Sequence, residues 1–184
     1  MKAITQCDYE ILLYIQNHLR TPFGNGFFSF MTFLGEFGWF WIALCVMLLV
    51  SKKTRRSGIV LLLALFLSWS LGEGLLKHIF LRTRPYIAHP DLIPLARRPR
   101  SSSFPSGHTA TACAMGFTAL RELRKRYSIP IFIIGLLVSL SRLYLGMHYP
   151  TDVIAGILLG LFSCCLAERL MWRLQDKSLL KHLA

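Results

Sequence analysis

The sequence predicts an all-α polytopic membrane bundle of about five spanning helices, preceded by an amphipathic helix lying in the interface. Three observations carry this. The chain is 54% hydrophobic and only 16% charged, whereas soluble domains carry about 25% charged residues. Five long apolar stretches follow one another, on the scale of the ~20 residues that cross a bilayer. Clusters of lysine and arginine fall in every second connection and so on one side, as in membrane proteins whose cationic loops set orientation. With 184 residues, residues 1–184 read as a single membrane-embedded domain.

In chain order, residues 8–19 space Ile11, Leu12, Ile15 and Leu19 along one helical face. The segment is too short to span and is expected in the interface. Thr21-Pro22 and Gly24-Asn25-Gly26 are expected to break it. The spans are expected at 27–50, 58–80, 105–120, 129–145 and 151–172. The third and fourth are short against the usual ~17–25 residues, and only their neighbours make them spans. No basic stretch followed by an apolar run and a small-residue cleavage site precedes them, so the first span is expected to direct insertion.

Lys52, Lys53, Arg55 and Arg56 join the first two spans. Arg121, Arg124, Lys125 and Arg126 join the third and fourth, and Arg169, Arg173, Lys177 and Lys181 end or follow the fifth. In a five-span serpentine all three clusters share one side, expected to be cytoplasmic, with the amino terminus outside. Arg82, Arg84, Arg97, Arg98, Arg100 and Arg142 fall on the opposite side, against that rule. Cations kept there are expected to serve a ligand.

The net charge is +12, yet no nucleic-acid partner is expected, because the cations lie between apolar segments rather than on one soluble face. Contact with anionic headgroups explains most of them. The five cysteines include no Cys-x-x-Cys pair and four lie in apolar stretches, so they read as small buried residues, not a disulfide framework or zinc site.

Three motifs sit at the outer ends of the spans. The first is Lys77-x6-Arg84-Pro85, a point charge and a planar donor fork suited to phosphate oxygens. The second is Pro105-Ser106-Gly107-His108, where a helix start offers free N–H groups, a close-approach glycine, a hydroxyl and an imidazole. The third is Ser141-Arg142-x5-His148-x3-Asp152. An arginine at membrane depth marks a functional site. A carboxylate four residues after a histidine can hold one ring nitrogen and leave the other as a nucleophile. Taken singly, each motif also fits a plainer role: a snorkelling cation, an ordinary helix start, or a helix cap beside an interfacial histidine. Together they supply fixed cations, two histidines and a carboxylate, an inventory for breaking a phosphate ester without a metal. The few acidic residues argue against a magnesium or two-metal centre.

In order and at every named position, these motifs resemble the three-part signature of the type 2 phosphatidic acid phosphatase superfamily. That superfamily comprises membrane lipid phosphatases, soluble bacterial acid phosphatases and vanadium haloperoxidases. The resemblance covers residues 77–152, and the apolar helices point to the membrane lipid phosphatases.

The resemblance implies a set of roles. Lys77, Arg84 and Arg142 would hold the phosphate oxygens with Ser106 and the Gly107 N–H. His148 would attack phosphorus to form a phosphohistidine, Asp152 would orient it, and His108 would protonate the leaving oxygen and then activate water. No metal or cofactor is expected. The implied partner is a lipid phosphate or diphosphate held in the bilayer, with the site facing the periplasm or cell exterior. Undecaprenyl diphosphate is the first choice, and phosphatidylglycerophosphate, phosphatidate or lipid A the alternative. A catalytically silent lipid-binding or transport protein is the reading from a different class, and it would call for a lost motif residue; none is lost.

Other polar residues keep open roles. Glu73 can pair with Lys77 one turn on. Glu36, inside the first span, either pairs across helices or is protonated. Arg97, Arg98 and Arg100 either grip a second phosphate or meet headgroups, and His78 and His89 read as interfacial.

Overall fold

Apolar runs with few internal breakers fold as helices, and in the computed structural model, which describes residues 2–99 and 101–181, those residues form a helical bundle with no strand. Arg100 lies outside the described residues, as do the side chains of Lys177 and Lys181. Helix α1 (Lys2–Tyr14) continues as a π-helical turn, Ile15–Leu19. Next come α2 (Pro22–Gly35) and α3 (Trp39–Val50), then α4 (Arg55–Trp69), which runs on through Ser70–Leu76 to Lys77–Ile79. The bundle is completed by α5 (Gly107–Glu122), α6 (Lys125–Tyr144) and α7 (Pro150–Lys181).

Among the described residues, four stretches are long and apolar enough to cross a membrane: Pro22–Val50, Arg55–Ile79, Lys125–Tyr144 and Pro150–Asp176. The expected third span is α5. Its 16 residues reach about 24 Å at 1.5 Å each, short of the ~30 Å hydrocarbon core. It lies in the middle of the bundle, packed on α4, α6 and α7, with most of its residues buried. A helix shielded by protein needs no lipid-facing apolar surface, so alanine, glycine and threonine serve it better than leucine.

Three expectations are corrected. The amphipathic helix begins at Lys2, not residue 8. Gly24-Asn25-Gly26 does not break the chain but lies within α2, which Pro22 opens and the Thr21 hydroxyl caps by accepting the Gly24 N–H at 3.0 Å. The first span is not continuous: it breaks at Glu36–Gly38, where Phe37 (φ 51°) and Gly38 (φ 69°) adopt left-handed backbone.

Small residues bring the central helices together. A Cβ on Gly160 would stand 2.8 Å from the Ala110 carbonyl and the Ala114 N–H. One on Gly156 would stand 2.8 Å from the Ser106 carbonyl. This Gly-x-x-x-Gly face seats α7 directly on the backbone of α5. It also fixes the start of one helix to the start of the other, through a Ser106 N–H to Asp152 carbonyl bond of 3.1 Å.

The basic clusters meet at the opposite end. Arg56 pairs with Glu122 at 2.6 Å and Arg121 with Glu168 at 2.5 Å. All three motifs therefore lie at the end of the bundle away from these clusters.

Candidate active site

Lys77 comes from the last turn of α4, just after the π-helical stretch Ser70–Leu76. Such bulges are rare and gather at functional sites. Lys77 is buried, and its Nζ lies 2.6 Å from Glu73 Oε1, the i,i+4 pair expected from the sequence. The Glu73 carboxylate lies against the first residue of α5: a Cβ on Gly107 would collide with Oε1.

Pro85 opens a single helical turn, Pro85–Ala88, and leaves Arg84 extended before it. The Arg84 guanidinium is clamped by its own loop and by the connection before α7. It donates to the Ser101 carbonyl (2.8 Å), the Ser101 hydroxyl (3.1 Å) and the Met147 carbonyl (3.3 Å). Burial lowers its pKa, so its charge gains from any anion that arrives. Arg142 is buried near the end of α6 and donates through Nη1 to Thr32 on α2, while its Nε is buried without a hydrogen-bond partner. A buried donor left unpaired is costly unless a ligand completes it.

His148 follows the left-handed Gly146 (φ 70°) and is almost fully buried. Its Nδ1 lies 2.8 Å from the Ser103 carbonyl. A carbonyl can only accept, so Nδ1 carries the proton and Nε2 presents its lone pair. Nε2 faces Arg84 Nη1 at 3.3 Å. The Asp152 carboxylate lies 3.6 Å from Nδ1, near enough for electrostatic attraction but too long for a direct bond. It accepts instead from the Ser103 hydroxyl (2.5 Å), the Tyr149 N–H (3.0 Å) and Arg82 Nη1 (2.5 Å). Ser103 therefore links the histidine to the carboxylate. Burial is the main reason that the His148 pKa falls to about 3, and Arg84 and Arg142 push the same way against the nearby Asp152 carboxylate. The ring is neutral at physiological pH.

The start of α5 supplies the remaining groups. The Ser106 hydroxyl is fully buried and meets Thr109 Oγ1 at 2.9 Å, capping the helix and lying away from the cavity. The Gly107 and His108 N–H groups are among the first of the helix, which have no intrahelical acceptor. Gly107 and His108 line the cavity.

That cavity, of about 960 Å³, brings together Lys77, Arg84, Arg142, His108, His148 and Gly107. Glu36 and Glu73 also line it, with Arg97 and Arg98 on the loop beside it. Its other wall is apolar: Phe37, Ile42, Leu62, Phe66 and Trp69, all substantially exposed on the outer faces of the first two spans. One enclosure thus joins a cationic, two-histidine end to a greasy opening on the lipid side. Among the described residues no group of three or more His, Cys, Asp or Glu side chains is arranged to hold a metal.

Sequence reasoning passed over Ser103, Thr32, Arg82 and Asp8. Arg82 stood out only as another outer-side cation. Asp8 had one signal, a carboxylate one turn before Leu12 on the same face, and both are buried.

Residues 57–176 match the PAP2 superfamily, and the chain belongs to that family. It is 38% identical over 133 residues to an undecaprenyl-diphosphatase of Sulfolobus acidocaldarius, a stretch that is 71% of this chain and 64% of that protein. It is 29% identical over 174 residues to a lipid A 4'-phosphatase of Porphyromonas gingivalis, covering 88% of this chain and 71% of the relative. Among solved structures, Aquifex aeolicus LpxE superposes with a TM-score of 0.76 at 29% identity, covering 87% of this chain and 93% of the other. The transmembrane PAP2-type phosphatidylglycerolphosphate phosphatase of Bacillus subtilis superposes with a TM-score of 0.74 at 28% identity, covering 94% and 88%.

Proposed function

From this membership of the PAP2 superfamily, we propose that the protein is a metal-independent membrane phosphatase that removes phosphate from a lipid phosphate or diphosphate through a phosphohistidine. The observation that carries the reading is the single cavity with a cationic floor and an apolar, lipid-side wall. It suits an amphiphile whose phosphate meets Lys77, Arg84, Arg142 and the Gly107 N–H while its tail stays in the bilayer. Nε2 of neutral His148 attacks phosphorus, forming the N–P bond as the bond to the leaving oxygen breaks. His108 protonates that oxygen. Water, deprotonated by His108, then attacks phosphorus and releases inorganic phosphate and free imidazole. Fixed cations stabilise the charge spread over the transferring phosphoryl group. Ser106 contributes by shaping the helix start that presents Gly107.

Undecaprenyl diphosphate is the preferred substrate. The Sulfolobus acidocaldarius relative named for that activity is 38% identical, and the loops leave little protein to enclose a large headgroup. Arg97 and Arg98, at the cavity edge, suit the second phosphate. The likeness to lipid A phosphatases in the relatives keeps lipid A as the second reading. The site is read as facing the outer leaflet, since all three motifs lie away from the basic clusters.

Phosphate release from a panel of undecaprenyl diphosphate, phosphatidylglycerophosphate, phosphatidate and lipid A, with and without EDTA, tests this. Turnover of at least one lipid is expected to survive EDTA and to fall with vanadate. Activity lost in EDTA and restored by magnesium would overturn the metal-free mechanism. Preference for lipid A would replace the first substrate with the second.

A further inference from the structure

Behind His148 a chain of charges continues from Asp152 to two residues that the three motifs do not name, Arg82 and Asp8. Arg82 Nη1 donates to Asp152 Oδ1 at 2.5 Å, and its Nη2 donates to Asp8 Oδ2 at 2.8 Å. Asp8 belongs to α1, far from the motifs in sequence, yet it is buried to 2% exposure. It also accepts the Thr151 N–H at 3.1 Å and the Thr151 hydroxyl, and Arg82 Nη1 reaches the same hydroxyl at 2.7 Å. The Arg82 guanidinium lies over the Tyr149 ring, 4.1 Å from its centre. One helix N-terminus, one carboxylate pair and one guanidinium are thus locked into a single network beside the reacting histidine.

The charges decide what the network does. Attack by His148 turns its neutral ring into a cation bonded to phosphorus, and Asp152 is the anion that offsets it. Arg82, in direct contact with Asp152, would cancel that anion if it stood alone. Asp8 on the other side of Arg82 restores the balance, so the three together keep one negative charge next to the ring. Burial opposes the Arg82 charge, yet the bond to Asp8 and the charge and bond of Asp152 outweigh it and its pKa is raised.

We infer that Asp8 and Arg82 are positioning residues for the phosphatase reaction: the amino-terminal helix delivers a carboxylate that, through Arg82, holds Asp152 in place and keeps its charge available to His148. The inference rests on the proposed phosphohistidine chemistry.

Asp8→Asn, Asp8→Glu and a docking control, Gln16→Ala, test it. Gln16 ties α1 to the Asp91 carbonyl at 3.0 Å and the Ile93 N–H at 2.7 Å without touching the network. With a lipid that the native protein hydrolyses, Asp8→Asn is expected to lower kcat roughly tenfold or more with KM nearly unchanged. Asp8→Glu should recover much of that loss, and Gln16→Ala should keep kcat. If Asp8→Asn does not fold, Thr151→Val, which removes the hydroxyl's two hydrogen bonds, to Asp8 and from Arg82, and keeps all three charges, should show a smaller loss of kcat. Native kcat in folded Asp8→Asn or Thr151→Val overturns the inference, as does an equal loss in Gln16→Ala, which would reduce α1 to a structural brace. A native protein that hydrolyses no lipid phosphate overturns the phosphatase reading first and this one with it.

Discussion

A histidine can attack phosphorus only when a ring nitrogen is unprotonated and aimed, and His148 meets both conditions for separate reasons. The Ser103 carbonyl fixes the proton on Nδ1. Burial first, then Arg84 and Arg142, drive the ring's pKa down to about 3 against the nearby Asp152 carboxylate. This has a consequence for stability. In the unfolded chain the ring binds a proton below about pH 6.5, whereas the folded chain leaves it bare until about pH 3. Between those values the unfolded state binds more protons, so His148 makes stability fall as pH falls, by up to about 1.4 kcal/mol per pH unit. His148→Gln is therefore expected to abolish turnover while flattening the decline in thermal midpoint between pH 6.5 and 4 in detergent. An unchanged slope would place the proton elsewhere. Much of this site was legible beforehand, because Lys77, Arg84, Gly107, His108, Arg142 and His148 stand in the motifs and line one cavity. The division of labour among the serines was not. Ser106 caps its helix while Ser103, outside the motif, bridges His148 and Asp152. Spacing along a chain says which residues gather, but not which of two nearby hydroxyls turns inward.

Elements carry the same lesson in backbone terms. The apolar pattern marked each membrane stretch, since lipid demands long greasy runs whatever their internal geometry. It could not reveal the break at Glu36–Gly38, because apolar residues continue on both sides and only Gly35 and Gly38 hint at it. Nor could it separate α5 from a true lipid-facing span, since a short alanine- and glycine-rich helix becomes sensible only once its neighbours surround it. The helix contacts that place the motifs are themselves testable. Gly160 leaves no room for a methyl group, with the Ala110 carbonyl, the Ala114 N–H and Cys113 Cβ all 2.8 Å from its would-be Cβ. None of these can swing aside as the end of a flexible side chain could. Gly160→Ala should push α7 from α5 and cost about 1–3 kcal/mol of stability. It should also lower kcat/KM, because Ser106–His108 ride on one helix and Asp152 on the other. The thermal midpoint and phosphate release of the purified variant check both. Gly26→Ala, where a Cβ meets nothing within 4 Å, should change neither.

For the whole molecule, the orientation of the bundle in the membrane decides which pool of lipid phosphate the site meets. The fold separates two ends. One holds the clusters at 52–56, 121–126 and 169–173, tied together by Arg56–Glu122 and Arg121–Glu168. The other holds the cavity, with α1 docked against it through Leu12, Leu92 and Tyr149. Cationic loops are retained on the cytoplasmic side because their translocation is disfavoured. The cavity end carries arginines as well: Arg97 and Arg98 are exposed on the loop, and three others are engaged. Arg84 is bound within its loop, Arg82 is held between two carboxylates, and Arg142 is buried. The cavity is accordingly expected to open at the outer leaflet. Ala88 and Ser51 are both exposed and sit at opposite ends, so they report orientation directly. Cys7 is exposed near the cavity end and must first be replaced by serine. In that background, a cysteine at Ala88 should react with an impermeant thiol reagent in intact cells, and one at Ser51 should react only after lysis. Labelling at Ser51 alone would invert the bundle. The same chemistry would then act on lipids of the cytoplasmic leaflet, which favours a phospholipid-synthesis substrate over a carrier lipid recycled at the outer face.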